Sequence, residues 1–337
     1  MANGHVRVGV ACQGGGSHTA FTAGVLEALM VGLPDEIEIA ALTGTSGGAI
    51  CAALAWDGLV RNDRSIAIRK LQGFWRAMSA RDPMDQIVNH MMMGINDLRD
   101  RMVMPEVSPY NLPTWGEDKF RALLNEYFNF EELRELARRP GVPILHIGAV
   151  EVLSGHFELF TGEDLSADCL LASAAIPEMF RAVHVPGRGV YWDGLFSQNP
   201  PIHDLIEHDL DEIWVIQINS STCARVPTET HEILDRRNAL SGNLSMEQEL
   251  AFIEMLNRAI ASGKLTDSKY HRIHVERIPM DRELGYRSKM DRSPALLEEL
   301  REFGKTKCRW FLKQRASEVA GRVDTRHNRP DEPARPS

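Results

Sequence analysis

The chain has 337 residues, 43% hydrophobic and 25% charged, a make-up that excludes a disordered or fibrous protein. Its formal net charge of −9, with no Lys/Arg run, argues against a nucleic acid partner. Five scattered cysteines, never spaced C-x-x-C, suggest neither a disulfide framework nor a zinc site and fit a reducing cytoplasm.

The N-terminal stretch lacks the apolar core of a signal peptide. The longest apolar run, Ala49–Trp56, falls well short of the roughly 20 residues a membrane span requires, so any membrane contact is expected to be peripheral. Val6–Ala11 predicts a short buried strand, Gly14–Gly16 a tight turn, and Thr19–Val31 a helix with apolar residues at Phe21, Val25 and Leu29. Ile37–Leu42 predicts a second strand running into Gly44-Thr45-Ser46-Gly47-Gly48, followed by an alanine-rich helix from Ala49 to about Asp57. This repeated strand, loop and helix unit implies a parallel sheet covered on both faces. Ile66–Ser79 predicts another helix, whereas residues 83–113 show no sustained period and are rich in Met, Pro and Asn. Helices follow at Lys119–Phe128 and Glu131–Arg139, neighbouring strands at Val142–Val150 and His156–Thr161, and a helix at Ala167–Ala175 stopped by Pro177. Val190–Trp192 predicts a short strand ending at Asp193-Gly194, and Ile213–Ile218 another. Thr228–Ser262 reads as two helices around Gly242-Asn243, Ile273–Ile278 as a last strand and Pro294–Val319 as a long helix. From Gly321 the chain is charged, proline-rich and nearly without apolar residues, which predicts a disordered tail.

Gly44-Thr45-Ser46-Gly47-Gly48 fits G-x-S-x-G between an apolar strand and a helix. In that setting a sharp turn lifts a serine hydroxyl above the sheet, and the helix N-terminus faces any charge that develops beside it. Ser46 is thus a candidate nucleophile, with a helix N-cap as the plainer alternative. An acyl-transfer transition state carries a negative oxygen that backbone N–H groups can stabilise, and Gly14, Gly15 and Gly16 could supply them. A dinucleotide-binding turn competes for the same loop, but Thr19 stands where its third glycine belongs.

Two Asp-Gly pairs offer carboxylates. Asp57 lies eleven residues beyond Ser46, about 16 Å along a helix, and reads as a solvated helix end. Asp193 ends a strand, where a side chain can be held over the carboxyl edge of a sheet. An aspartate of ordinary pKa, about 3.9, is a weak base unless burial raises it. His203, His208, His231, His271 and His274 therefore remain rival bases. His18, just beyond the glycine loop, is a candidate to meet an anionic headgroup at the rim of the site. Seven of the 14 methionines fall between Met78 and Met104. Methionine adapts to irregular apolar partners, so Met91, Met92 and Met93 are candidate acyl-chain contacts in a lid over residues 83–113, with core filling as the alternative.

The segments VACQGGGSHTAFTAGVLEAL, GTSGGA, ASAAIPEMF and YWDGLFSQNPPI, in that order over roughly residues 6–220, resemble the patatin-like phospholipase family. The resemblance implies a three-layer α/β/α fold with a mostly parallel central sheet, a Ser-Asp dyad without histidine, and hydrolysis of lipid acyl esters with no metal or cofactor. On this chain it makes Ser46 the nucleophile, Asp193 the base, and the amides of Gly14, Gly15, Gly16 and Gly47 the oxyanion donors. DRRNALSGNLSMEQELAFIEMLNR is similar to a C-terminal portion of some bacterial members. One hydrolase domain is therefore expected over residues 5–320, with a core at about 6–220, an elaboration at about 221–320 and a disordered tail at 321–337.

Two positions depart from the family pattern. His18-Thr19 stands where Arg or Lys followed by Gly is usual, and Leu195 replaces a common Gly. Without a fixed cation at that point, a neutral ester, including an intracellular polyester, stands beside a phospholipid as substrate. The expected protein is a cytoplasmic lipid acyl hydrolase or polyester depolymerase that touches a membrane or granule surface peripherally. A nucleotide-binding α/β module and a non-catalytic lipid-binding protein are the alternatives of another class.

Overall fold

The computed structural model describes residues 5–90, 107–177, 179–267, 269–282 and 284–327. Strands β1 (Val6–Cys12) and β2 (Ile37–Thr45) are apolar without strict alternation, as befits parallel strands buried on both faces. With β3 (Ile144–Glu151), β7 (Glu212–Gln217) and β8 (His274–Pro279) they form a parallel sheet in the order β3-β2-β1-β7-β8. Antiparallel β4 (Phe157–Thr161) pairs with β3, as does β6 (Gly189–Asp193), which in turn pairs with β5 (Val183–Val185).

Residue alternation along the strands sorts the core into two layers. Val8, Val10 and Cys12 of β1 and Trp214 and Ile216 of β7 join one apolar cluster, while Ala11, Ile213 and Val215 join the other. The first cluster is closed by α1 (Ala20–Gly32), α2 (Gly47–Val60), α3 (Arg64–Met78), α4 (Trp115–Tyr127), α5 (Phe130–Ala137), α6 (Ala167–Ala174) and α8 (Pro294–His327). The second is closed by Met246, Leu250 and Ile253 of α7 (Thr230–Ala261) and by the apolar side chains between Ile202 and Leu210. The result is the expected three-layer α/β/α arrangement. Its C-terminal helix is part of the core: a Cβ at Gly304 of α8 would collide with the Phe21 carbonyl of α1, so the two helices touch backbone to backbone.

Several elements differ from expectation. Residues 228–262 do not break at Gly242-Asn243, because α7 is one helix of 32 residues. A Cβ at Gly242 would lie 2.9 Å from the Asn219 side-chain nitrogen. Asn243 is buried and accepts a 2.8 Å hydrogen bond from Gln13. The Gly-Asn pair thus lets the helix approach the sheet closely instead of ending it. The final helix continues through Gly321, the predicted start of the disordered tail, to His327. Strand β5 is three residues long, too short for a periodic signal. Within the aperiodic stretch 83–113, residues 83–90 are helical and Pro109–Asn111 form a single 3-10 turn. Met91, Met92 and Met93 lie outside the described residues. Among the described residues no helix is long and apolar enough to cross a membrane.

Candidate active site

Strand β2 ends at Thr45 and α2 begins at Gly47, so Ser46 alone makes the turn. Its backbone, at φ 57° and ψ −132°, lies in the left-handed range that a non-glycine residue rarely adopts. Such a conformation costs about 1–3 kcal/mol and persists only where surrounding contacts impose it. Ser173 of α6 supplies one of them: its hydroxyl accepts the Ser46 N–H at 2.9 Å and donates to the Gly148 carbonyl at 2.7 Å. The Ser46 hydroxyl makes no capping bond to α2, so the N-cap alternative does not describe it.

Strand register brings Asp193 to the same point. Along β3, Gly148 is the partner of Thr45, and the next residue, Ala149, is the partner of Asp193. Since β4 occupies the other edge of β3 over the same residues, β6 must continue the edge on which β2 stops. Two strands running in opposite directions therefore meet end to end, with the Ser46 turn at one tip and Asp193 at the other. Asp193 is 1% exposed, and its N–H donates to the Ala175 carbonyl at 2.9 Å. Its Oδ1 accepts the Leu195 N–H at 2.8 Å, while Oδ2 has no hydrogen bond of good geometry. Burial pushes the carboxyl up from its ordinary value to about 7, an effect only partly offset by the Ser46 hydroxyl, the Leu195 amide and the Lys289 charge. Basicity near neutrality is what a proton acceptor for serine needs.

The glycine loop borders this pair. A Cβ at Gly14 would stand 2.9 Å from the Ser46 Cβ, so the loop can approach the serine only without a side chain there. The Gly14 N–H, however, donates to Asn199 Oδ1 at 2.7 Å. It is committed to holding the loop and leaves the set of oxyanion donors. Among the described residues, the amides of Gly15, Gly16 and Gly47 make no hydrogen bond in this arrangement. Gly47 is the first residue of α2, where the helix dipole adds positive potential. Gly16, at φ 57°, turns the loop against the backbone of Lys289.

The remaining candidates fall elsewhere. His18 is not at an exposed rim: it is 2% exposed, its Nε2 lies 2.6 Å from Ser288 Oγ, and burial lowers its pKa to about 3. A neutral, enclosed imidazole cannot meet an anionic headgroup as a cation. Asp57 is far from Ser46 as expected, but it is buried and paired with Arg61 and Lys70 instead of solvated. His271 lies 2.8 Å from the Leu210 carbonyl and His274 2.6 Å from Glu276, both at the amino end of the parallel strands, opposite Ser46 and Asp193. His208 packs its ring at a tilt against His146, and His203 against Phe252. None of these four partners belongs to the serine site, and the His231 side chain lies outside what is described. Among the described residues no group of three or more His, Cys, Asp or Glu could hold a metal ion.

Three site residues escaped sequence reasoning: Ser173, Asn199 and Lys289. Ser173 and Asn199 lie in the segments ASAAIPEMF and YWDGLFSQNPPI, so their neighbourhood was marked although their roles were not. Lys289 had no local signal.

The model of the patatin-like phospholipase family matches residues 10–206. No curated protein sequence matches the chain. Among solved structures, VipD from Legionella pneumophila aligns at 14% identity with a TM-score of 0.43, over 93% of this chain and 67% of that one. Full-length ExoU in complex with SpcU, from the type III secretion system of Pseudomonas aeruginosa, aligns at 15% identity with a TM-score of 0.29, over 73% of this chain. This chain spans about half, 51%, of that neighbour's length.

Proposed function

Because the chain belongs to the patatin-like phospholipase family, whose chemistry is lipid acyl hydrolysis, we propose that it cleaves carboxylic esters of lipids through a Ser46–Asp193 dyad. One observation carries this reading: the strained Ser46 turn and the buried, basic Asp193 occupy adjoining register positions on one edge of β3. Asp193 takes the hydroxyl proton as Ser46 Oγ bonds to the ester carbonyl carbon. The negative oxygen that develops faces the amides of Gly15, Gly16 and Gly47. Expulsion of the alcohol, which recovers the proton from Asp193, leaves an acyl-enzyme. Water, deprotonated by the same carboxylate, then releases the acid. The fixed dipoles are set before reaction, so no reorganisation is required as charge appears.

The test combines covalent labelling with product analysis. A fluorophosphonate should modify Ser46 in the wild-type protein and leave Ser46→Ala unmodified. Mass spectrometry of products from phospholipids, acylglycerols and hydroxyalkanoate oligomers should then reveal which ester class is cleaved. Labelling at another residue, or hydrolysis that survives Ser46→Ala, would sink the assignment.

A further inference from the structure

The turn Tyr286–Met290, which precedes α8, packs against the 3-10 turn Gly16–Thr19 that leads out of the glycine loop. Ser288 is bound to His18, and the backbone of Lys289 abuts Gly16 so closely that a side chain at Gly16 would collide with it. The Lys289 ammonium donates to Asn219 Oδ1 at 2.6 Å. Asn219, just past the carboxyl end of β7, is itself fixed by its N–H to Gln13 Oε1 at 2.8 Å. The space a Cβ would take on Gly242 is bounded by Asn219 and Leu195, and the Leu195 amide binds Asp193. A cation from the C-terminal part of the chain, outside the residues matched by the family model, is thus built into the wall of the serine site.

We propose that Lys289 is a positioning residue for the dyad: its ammonium group, fixed by Asn219 behind the glycine loop, favours the ionised form of Asp193, the form able to accept the Ser46 proton. The role rests on the serine hydrolase reading above. Burial raises the Asp193 carboxyl, and the groups that act against it are the Ser46 hydroxyl from the elbow, the Leu195 amide from its own turn and, through its charge, Lys289 from the segment before α8. Lys289 binds Asn219, and the charges of Asp193 and of Asp235 in α7 act on it, as it acts on His18. His18 is neutral, and although burial lowers the Lys289 pKa to about 8, with Asp235 and Asp193 opposing it, the ammonium stays charged through the rising limb near pH 7. Lys289 is therefore the charged group that opposes the effect of burial on the base.

Fluorophosphonate labelling reads this directly, because Ser46 Oγ bonds to phosphorus, fluoride leaves and the hydroxyl proton passes to Asp193. Labelling rates are measured from about pH 5 to about pH 9 for wild type, Lys289→Met, Lys289→Gln, Lys289→Arg and Asn219→Ser. Lys264→Met, at an exposed site, controls for net charge. Both neutral variants should shift the rising limb upward by on the order of one pH unit, seen as about tenfold slower labelling near pH 6. Asn219→Ser should shift it in the same direction by less, and Lys289→Arg and Lys264→Met should keep the wild-type midpoint. Melting curves identify the variants that fold, and Asn219→Ser carries the test if neither neutral variant does. A wild-type midpoint in the folded neutral variants, or in Asn219→Ser where it stands in for them, would overturn the role. So would an arginine variant displaced as far as methionine. Failure of wild-type Ser46 to label at any pH would instead remove the dyad on which the role rests.

Discussion

The chain contains two Asp-Gly pairs, and both aspartates are buried, yet their surroundings are opposite. Asp57, buried in the last turn of α2, is met by Arg61 at 2.6 Å and by Lys70, and Arg61 also binds Glu132. Asp193, at the carboxyl edge of the sheet, makes no ion pair among the described residues and leaves one oxygen without a good hydrogen bond. A buried carboxylate that is fully compensated holds structure together. One that is under-compensated is suited to act as a base, because the energy absent from its ionised form appears as affinity for a proton. Burial alone would have ranked the two residues equally.

The largest expected effect bears on the catalytic side of this contrast. Ser46→Ala should lower ester hydrolysis by about three orders of magnitude or more while melting like the wild type, since the change removes one hydroxyl that makes no capping bond to α2 but takes away the nucleophile. Turnover assays on purified protein check it.

Exchanging the two aspartates for asparagine sharpens the comparison further. Asp193→Asn should be nearly as damaging to activity as Ser46→Ala, yet it should stabilise the fold. The folded-state pKa of Asp193 is raised from 3.8 to about 7, so the wild-type fold loses stability as pH rises between those values and stays lower above them. The melting temperature of Asp193→Asn should therefore exceed that of the wild type at about pH 8, and by less at about pH 5. Asp57→Asn should do the reverse, costing about 3 kcal/mol by stranding Arg61 and Lys70 while leaving activity per folded molecule largely intact. Denaturant titrations paired with active-site titration separate these outcomes. Similar stability changes for both variants would break the distinction.

The pH profile follows from the same group. Labelling of Ser46 should rise with pH through about 7 as Asp193 ionises, and single alanine replacements of His203, His208, His271 or His274 should leave that midpoint in place. A histidine variant that abolishes labelling would replace the dyad by a triad.

The smallest effect belongs to the support of the elbow. Ser173→Ala removes the acceptor for the Ser46 N–H and the donor to Gly148, and should cost about 1–2 kcal/mol of stability with a moderate fall in kcat. Wild-type values in both measurements would show that the Ser46 conformation is held by other contacts.

What the sequence determined by itself is local. Apolar runs over residues 6–11 and 37–42, each followed by a glycine loop and a helix, specify repeated parallel-sheet units because strand, turn and helix propensities act over a few residues. The same locality made the Ser46 elbow and the strand-end position of Asp193 legible, and left a histidine base as a rival. What the tertiary structure decided are quantities set by residues far apart in the chain. The tip of β6 meets the tip of β2 because β4 has taken the other edge of β3. Asn199 takes the Gly14 amide from across 185 residues, Gly242 within the unbroken α7 leaves room for the Asn219 side chain, and Lys289 returns from beyond residue 280 to stand beside the glycine loop. The enclosure of His18 and the ion pairs of Asp57 arise in the same way: burial, and the partner a polar group finds when buried, are properties of the packed chain, and no window of neighbouring residues contains them.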